Sequence, residues 1–325
     1  KNFKDFVKTN YCVSVGNGTD ALEIAIKSLK LEPNSEIILP VNTWISSAES
    51  IVSNNCKPIF CDVDLNDYSI CLNDLKKKIS RKTKCIMVVH LYGIPSNMNK
   101  IKEMIKGKNI KIIEDCAQAH GAKIGKKHVG TFSDVATFSF FPGKNLGAFG
   151  DAGAIVTNSK SIYNYCMRAR NHGAMNKYDH KFSGRNSRLD SLNAAVLNIK
   201  LKNYNKVMKK RNHLSELYFK GLKNLKGLSL FKLNKKNTHS FHQFVIRTNK
   251  RDKLLKYLKK NKIQTMIHYP YMLNELNFFP NTKNLKKSKS LGKKIISLPI
   301  SEEHSFKEIN YVTKKIQEFF KNSQK

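Results

Sequence analysis

The chain has 325 residues and a formal net charge of +35, with 40% hydrophobic and 26% charged residues. This length can form two domains around a sizeable core. No apolar run approaches the roughly 20 residues that a transmembrane helix needs. No apolar segment follows the basic residues at the amino end, which argues against a secretory signal and predicts a cytoplasmic protein without a membrane partner.

The positive charge comes almost entirely from lysine. Only eight of the 59 basic residues are arginines, and the lysines occur along the whole chain among many asparagines. Specific recognition of nucleic acids relies strongly on the planar guanidinium group of arginine. We therefore interpret the charge as compositional, of the kind that an AT-rich coding sequence produces, and predict no specific nucleic-acid partner. A general attraction to polyanions, including a nucleotide-linked substrate, stays open.

The seven cysteines form an odd number and include no C-x-x-C pair. Several lie in apolar runs, as Cys85 does, where a small buried thiol is the default. This pattern predicts a reducing compartment, with neither a disulfide framework nor a metal site.

The first two thirds of the chain alternate short apolar runs with helical patterns. The runs predicted to be strands are 11–16, 35–40, 57–63, 85–93, 111–115, 135–140 and 153–157, and the helices between them include 19–31 and 72–79. Most of these runs are apolar without alternation, which is typical of strands buried on both faces of a parallel sheet. The alternation of strands and helices predicts a doubly wound α/β domain.

The pattern changes after about residue 187. Residues 188–222 form one long amphipathic helical pattern, followed by predicted strands at 238–248 and 263–270, a lysine-rich helix near 250–261 and a terminal helix at about 302–320. We predict a large α/β domain over 1–205 and a smaller α+β domain over 206–325, joined by the long helix.

Two segments of the first domain contain residues suited to binding an anion and a cation. The segment VSVGNGTDAL predicts a strand, a glycine turn and a helix start, where free N–H groups suit a phosphate. Gly18 allows close approach of the backbone, and Thr19 adds a hydroxyl donor. Asp115 ends the strand in IKIIEDCAQAHG, at the sheet edge where ligands of open parallel sheets bind. Both features have a commoner structural explanation: the glycine segment can be a plain turn, and Asp115 can be a helix cap.

The third segment, DVATFSFFPGKNLGAFGDAGAIVT, places Lys144 in a loop between two predicted strands. A lysine among glycines is usually a solvated loop residue. Lys144, however, follows an aromatic strand and is enclosed by glycines that let the backbone fold tightly around it. In such a partly desolvated position a lysine can lose its proton and form a Schiff base.

Three motifs together, NGTDAL, EDCAQAHGA and SFFPGKNLGAFGDAGAIVT, resemble the DegT-type sugar-nucleotide aminotransferases. The resemblance extends from about residue 11 to at least 195 and more loosely to the end. It implies the aspartate-aminotransferase-like fold (PLP fold type I), a homodimer, and pyridoxal 5'-phosphate as cofactor. The family usually has a further amino-terminal segment, and the sequence leaves open whether this chain is a fragment that lacks part of the interface or substrate pocket.

The resemblance implies roles for individual residues. Lys144 corresponds to the Schiff-base lysine, Asp115 to the carboxylate at the pyridine nitrogen, and Gln118 to the residue facing the phenolic oxygen. Trp44 corresponds to the aromatic residue that stacks on the pyridine ring. The implied phosphate-binding residues are Gly18, Thr19, Asp20 and Ser139, with Asn186 reaching the phosphate from the other subunit.

The implied reaction is a two-stage transfer of an amino group, with L-glutamate as expected donor, to a nucleotide-linked keto sugar. The wording of FFPGKNLGAFGDAG resembles enzymes that aminate a dTDP-linked 3-keto-6-deoxyhexose, in the biosynthesis of amino sugars for surface polysaccharides. Candidate sugar contacts are Tyr178, His180, His268 and Tyr269. The stretch YMLNELNFF (271–279), which follows the HYP segment (268–270), departs from the family's pattern. This departure weakens the assignment of the substrate but not that of the cofactor chemistry.

Two alternatives accompany this hypothesis. A dehydratase of the same fold uses pyridoxamine phosphate and has His in place of Lys144, so the lysine favours transamination. A non-catalytic regulator or polyanion-binding protein on this scaffold would explain the charge, but it has no need to retain Lys144, Asp115, Gln118 and Trp44 together.

Overall fold

A computed structural model describes residues 1–279 and 285–322. The strands are β1 (Tyr11–Val15), β2 (Glu36–Pro40), β3 (Lys57–Cys61), β4 (Thr83–Val89), β5 (Lys111–Asp115), β6 (Lys123–Ile124), β7 (Lys127–His128), β8 (Val135–Ser139), β9 (Gly153–Thr157), β10 (Ser229–Leu230), β11 (Asn237–Thr238), β12 (Phe244–Arg247) and β13 (Ile295–Leu298). The α-helices are α1 (Asn2–Val7), α2 (Gly18–Ser28), α3 (Ser46–Val52), α4 (Leu72–Lys78), α5 (Met98–Met104), α6 (Lys160–Ala169), α7 (Ser191–Leu222), α8 (Arg251–Lys260) and α9 (Phe306–Asn322). Short 3₁₀ turns cover Leu91–Gly93 and Leu273–Glu275.

The main sheet has seven strands in the order β1-β9-β8-β5-β4-β2-β3. All pairings from β8 to β3 are parallel, and only β9 runs antiparallel to its two neighbours. Parallel neighbours need crossover connections, which contain helices between β2, β3, β4 and β5 and the short strands β6 and β7 between β5 and β8. The architecture confirms the predicted α/β fold with a mostly parallel sheet.

Both faces of the main sheet are buried, which explains the apolar runs without alternation. On β9, Ile155 packs in the cluster that includes α2, whereas Ala154 and Val156 pack in the cluster that includes α1 and α7. Successive side chains of a strand point to opposite faces, so a strand covered on both sides must be apolar at every position.

A smaller sheet, β10-β12-β13, lies in the last third of the chain. Helix α7 is continuous over 32 residues, is capped at its start by the Asp190 side chain, and packs extensively on α9. This long connection agrees with the helix predicted over 188–222, except that it begins at Ser191. The division into domains at residue 205 stays a prediction.

Three predicted strands differ from the structure. The run 85–93 is a strand only to Val89, because the chain then turns at Leu91–Gly93. Within 238–248 only Phe244–Arg247 is a strand of the small sheet. The prediction of a strand over 263–270 is wrong, since Met266 makes one isolated bridge to Ser297. Apolar residues there pack against the core without ladder hydrogen bonds, a difference that periodicity alone cannot detect.

The seven cysteines are free thiols, and all except Cys12 are buried. No helix in the two described ranges combines the length and apolar character needed to cross a bilayer.

Candidate active site

The candidate site lies at the carboxyl ends of β5 and β8, which are parallel neighbours with Asp115 opposite Thr137. Parallel strands end at the same edge of the sheet, so Asp115 and Ser139 lie there together. The loop from β8 to β9 contains Lys144, whose N–H donates to the carbonyl of Phe141 at 2.8 Å. The topology thus brings together residues that are 29 positions apart in the sequence, from Asp115 to Lys144.

Asp115 is a buried carboxylate with defined hydrogen-bond donors. Its two oxygens accept from the Ser47 hydroxyl and the Ala117 N–H, each at 3.0 Å. Burial raises the pKa of Asp115, while these donors and the positive charge of Lys144 act in the opposite direction. A nearby cation would therefore favour the ionised carboxylate.

Burial also disfavours the charged form of Lys144, which is the protonated amine. Burial lowers its pKa, and the negative charge of Asp115 partly offsets that effect. Desolvation disfavours the ammonium form, so a larger fraction of Lys144 is the neutral amine at a given pH than for an exposed lysine. A neutral amine is the form that acts as a nucleophile or a base.

Gln118 is held at the centre of a group of polar and aromatic side chains. Its Oε1 accepts from the N–H of Tyr92 at 2.6 Å, and its Nε2 donates to the Tyr269 hydroxyl at 3.1 Å. The Tyr269 ring lies 5.6 Å from that of Trp44, which is 58% exposed. The hydroxyl of Tyr92 also donates to the carbonyl of His268. Predicted cofactor residues and the HYP segment therefore meet through direct contacts.

The amino end of α2 packs directly on the end of β8. Asn17 caps the helix by accepting from the Asp20 N–H at 2.8 Å. A Cβ atom at Gly18 would lie 2.7 Å from the Cβ of Ser139, so only glycine fits without displacement. Thr19 exchanges a hydrogen bond with Ser46 at 2.8 Å. The first N–H groups of a helix lack intrahelical acceptors, so Gly18, Thr19 and Ser139 present donors to one place.

The carboxylate of Asp20 is directed towards another segment. Its oxygens accept from Arg185 at 2.7 Å and from the Ser187 hydroxyl at 2.6 Å. Asn186, between those two residues, is exposed.

The candidate sugar contacts fall into two groups. His268 and Tyr269 adjoin Gln118 and Tyr92, and burial together with the charge of Lys144 lowers the pKa of His268 to about 4. Tyr178 is 80% exposed beside Lys177, and the His180 ring contacts the His172 carbonyl at 2.8 Å. The contacts of Tyr178 and His180 thus lie within their own loop.

The whole arrangement can be compared with known proteins. Residues 1–317 match the model of the DegT/DnrJ/EryC1/StrS aminotransferase family. The chain belongs to this family. A relative, the dTDP-3-amino-3,6-dideoxy-alpha-D-galactopyranose transaminase of Aneurinibacillus thermoaerophilus, is 38% identical over 321 residues, which cover 98% of this chain and 88% of the relative.

Solved structures of family members show the same fold. DesV of Streptomyces venezuelae superposes with a TM-score of 0.95 at 33% identity, covering 98% of this chain and 87% of that one. NtdA from Bacillus subtilis, solved with bound PMP, superposes with a TM-score of 0.92 at 26% identity, covering 98% and 75%. The family is a family of pyridoxal-phosphate-dependent aminotransferases, and this confirms the predicted fold, enzyme class and cofactor.

The donor set of this chain fits that cofactor. Pyridoxal phosphate needs an anion site for its phosphate, a carboxylate for its ring nitrogen and a primary amine for its aldehyde carbon. The amino end of α2 with Ser139, the buried Asp115, and Lys144, whose pKa is lowered by burial, could supply these three groups.

Some residues of the site escaped the sequence interpretation. Ser47 holds Asp115, and its position three residues after Trp44 was the available signal. His242 was also missed. Asn145 donates to the Ser240 carbonyl at 2.7 Å, so its oxygen faces His242 Nδ1 at 3.0 Å and that nitrogen carries the proton. Burial first, and then the charges of Lys144 and Arg211, lower the pKa of His242 well below its usual value.

Proposed function

We propose that the chain transfers an amino group from L-glutamate to a nucleotide-linked 3-keto-6-deoxyhexose, with dTDP as the nucleotide. The observation that carries this proposal is the electrostatic interaction of Lys144, in the loop after β8, with Asp115 at the end of the neighbouring parallel strand β5, in a chain of the sugar-aminotransferase family. The Aneurinibacillus relative is named as a dTDP-amino-sugar transaminase, which supports the substrate class. We place the reaction in amino-sugar biosynthesis for surface polysaccharides, in the cytoplasm.

Asp115 and the residues in the neighbouring loops each have a proposed part in the chemistry. The bound cofactor supplies an electron sink for the carbon that loses its proton. The amine of Lys144 would hold the cofactor at its aldehyde carbon and, once released from that carbon, would move the proton. Asp115 stabilises a positive charge on the ring nitrogen, because its buried carboxylate is favoured in the ionised form by an adjacent cation. Gln118 orients the ring oxygen, and Trp44 covers the ring face.

The phosphate site is proposed to combine two subunits. Gly18, Thr19, Asp20 and Ser139 form the part contributed by one chain, with Asp20 acting through the loop that it binds. We propose that Asn186 of a second copy completes the site in a homodimer, a role compatible with its exposure.

The proposed substrate contacts form two groups, one near the cofactor residues and one in an exposed loop. His268 and Tyr269 adjoin the cofactor residues and are proposed to face the sugar. Tyr178 and His180 lie in an exposed loop and are proposed to contact the nucleotide sugar bound at the partner's site.

The two alternatives find less support. Lysine at position 144 disfavours the dehydratase, which has histidine there. A regulator without catalysis has no requirement for a buried Asp115 held by two donors and coupled electrostatically to Lys144.

The direct test of the proposal is an absorbance spectrum of the protein with pyridoxal phosphate, beside a Lys144→Ala variant. We expect a band at roughly 410–430 nm in the wild type only, which moves to roughly 330 nm when L-glutamate is added. Keto-sugar nucleotides should then reverse the change. Identical spectra for the wild type, the variant and free cofactor would contradict the assignment of Lys144.

A further inference from the structure

The loop of residues 183–188 is attached to the amino end of α2 by side chains on both sides of Asn186. Arg185 pairs with Asp20 at 2.7 Å and also with Glu23, so one guanidinium joins two carboxylates of α2. Ser187 donates to Asp20 at 2.6 Å and accepts from the Gly16 N–H at 2.9 Å. The loop therefore contacts both the helix and the turn that precedes it.

The same loop is fixed on its other side through the backbone. The N–H groups of Arg185 and Ser187 donate to the carbonyls of Ala169 and Arg170 at 2.8 and 2.9 Å. Asn186 itself forms an extended bridge with Asn171. In extended backbone, alternate side chains share one side, so Arg185 and Ser187 face α2 while Asn186 faces the opposite side.

These contacts involve a helix whose first residues adjoin Ser139. Asp20 lies two residues after Gly18, which touches Ser139, and its N–H is occupied by the Asn17 cap. A free carboxylate beside a phosphate would repel it, but this one is matched by the charge of Arg185. Charge-assisted pairs with two acceptors fix geometry as well as charge.

We infer that Arg185 is a positioning residue, which fixes the 183–188 loop to α2 through Asp20 and Glu23. It thereby keeps the phosphate-binding end of α2 and the exposed Asn186 in a fixed position relative to each other. The inference rests on the proposed function, because it assumes that the cofactor phosphate binds at the amino end of α2. It assigns Arg185 no contact with cofactor or substrate.

The test is the affinity of the purified full chain for pyridoxal phosphate, measured by absorbance titration, in Arg185→Gln and Arg185→Lys. We expect an affinity about tenfold weaker in Arg185→Gln, since Asp20 and Glu23 lose the guanidinium group that links both carboxylates to the loop. Arg185→Lys keeps the charge but not the guanidinium fork that joins two carboxylates, so it should recover part of the loss. Lys27→Gln is the matched control, because Lys27 is an exposed cation on the same helix, four residues after Glu23, and should leave the affinity unchanged.

A second measurement separates positioning from a general loss of structure. Exposed ion pairs contribute little to folding stability, so the cofactor-free Arg185→Gln protein should melt within about 2 °C of the wild type. The inference would be overturned if Arg185→Gln lost affinity and also melted clearly more than about 2 °C below the wild type, and if Arg185→Lys recovered neither property.

The same titration distinguishes the inference from the proposed function. A wild-type band that depends on Lys144, together with undiminished affinity in Arg185→Gln, overturns the inference alone. A wild type without that band overturns the proposed function and the inference with it.

Discussion

Glu114 and Asp115 are adjacent in the sequence but occupy opposite faces of the sheet. Glu114 accepts four hydrogen bonds, from His90, the N–H groups of Gly130 and Phe132, and the Ser133 hydroxyl. Burial alone would raise the pKa of Glu114, but these donors outweigh it and lower the pKa. Asp115 has fewer donors and a raised pKa, so of these two carboxylates it is Asp115 whose ionised form a bound cation would stabilise further.

The contrast leads to a prediction for Asp115→Asn. A carboxyl group with a raised folded-state pKa stabilises the fold below its unfolded pKa and loses that contribution as the pH rises through the folded value. Above its unfolded pKa, Asp115 therefore contributes less to stability than at lower pH, and the cofactor-free variant at pH 7 should be at least as stable as the wild type. Turnover should fall about 100-fold or more, because the ring nitrogen loses its counter-charge.

Thermal melting of the cofactor-free proteins and steady-state kinetics measure the two effects. A clearly lower melting temperature of Asp115→Asn at pH 7 would show that Asp115 is a structural anchor, as Glu114 is. Ser47→Ala serves as a control, because it removes one donor to Asp115 without removing the charge.

At the scale of elements, the site depends on how closely α2 approaches the main sheet. Gly18 meets Ser139 of β8, and Gly153 of β9 would place a Cβ atom 2.3 Å from the carbonyl oxygen of Asn17. Two glycines on two elements thus permit one contact between a helix end and the strand ends. The phosphate-binding geometry follows from this packing as much as from the residues themselves.

Gly18→Ala should separate α2 from β8. The added methyl group would lie 2.7 Å from Ser139 Cβ, so the helix must shift, at a cost of about 1–3 kcal/mol in stability. We expect the affinity for pyridoxal phosphate to fall together with the free energy of unfolding. Gly150→Ala is the control, since its nearest neighbour is a side-chain nitrogen at an ordinary 3.5 Å. Equal cofactor affinities in the two variants would contradict this account of the packing.

At the scale of the whole molecule, the proposal requires two copies of the chain. Lys144 and Asn186 lie in different segments, and the exposed face of Asn186 is turned away from its own α2. If Asn186 serves the partner's site, each active site needs Lys144 from one chain and Asn186 from the other.

A mixing experiment tests this arrangement. Lys144→Ala and Asn186→Ala should each be nearly inactive alone. When they are unfolded together and refolded at equal amounts, half of the dimers should be mixed, each with one intact site, so about a quarter of the wild-type activity should return. Activity that stays at the sum of the single variants would show that both residues serve the same chain.

The fold class could be predicted from the amino-acid sequence alone, because apolar runs buried on both faces and separated by helices allow few arrangements other than a parallel sheet. The sequence also indicated Asp115 and Lys144, but only through the three motifs taken together, since a strand-end carboxylate or a lysine among glycines is common by itself. The short strands after residue 230 were less predictable, because partial burial in an irregular segment gives the same apolar pattern as a strand. The wrong prediction at 263–270 has this cause.

The residues that support the site could be identified only in the folded chain. Ser47, Arg185 and His242 act through partners that are 68, 165 and 97 positions away, namely Asp115, Asp20 and Asn145. Hydrogen bonds and ion pairs depend on distances of about 3 Å, which the order of strands and the crossings of helices set. Local sequence patterns extend over a few turns or strands, so they identify reactive residues, whereas the packing of distant elements determines the charge state and orientation of those residues.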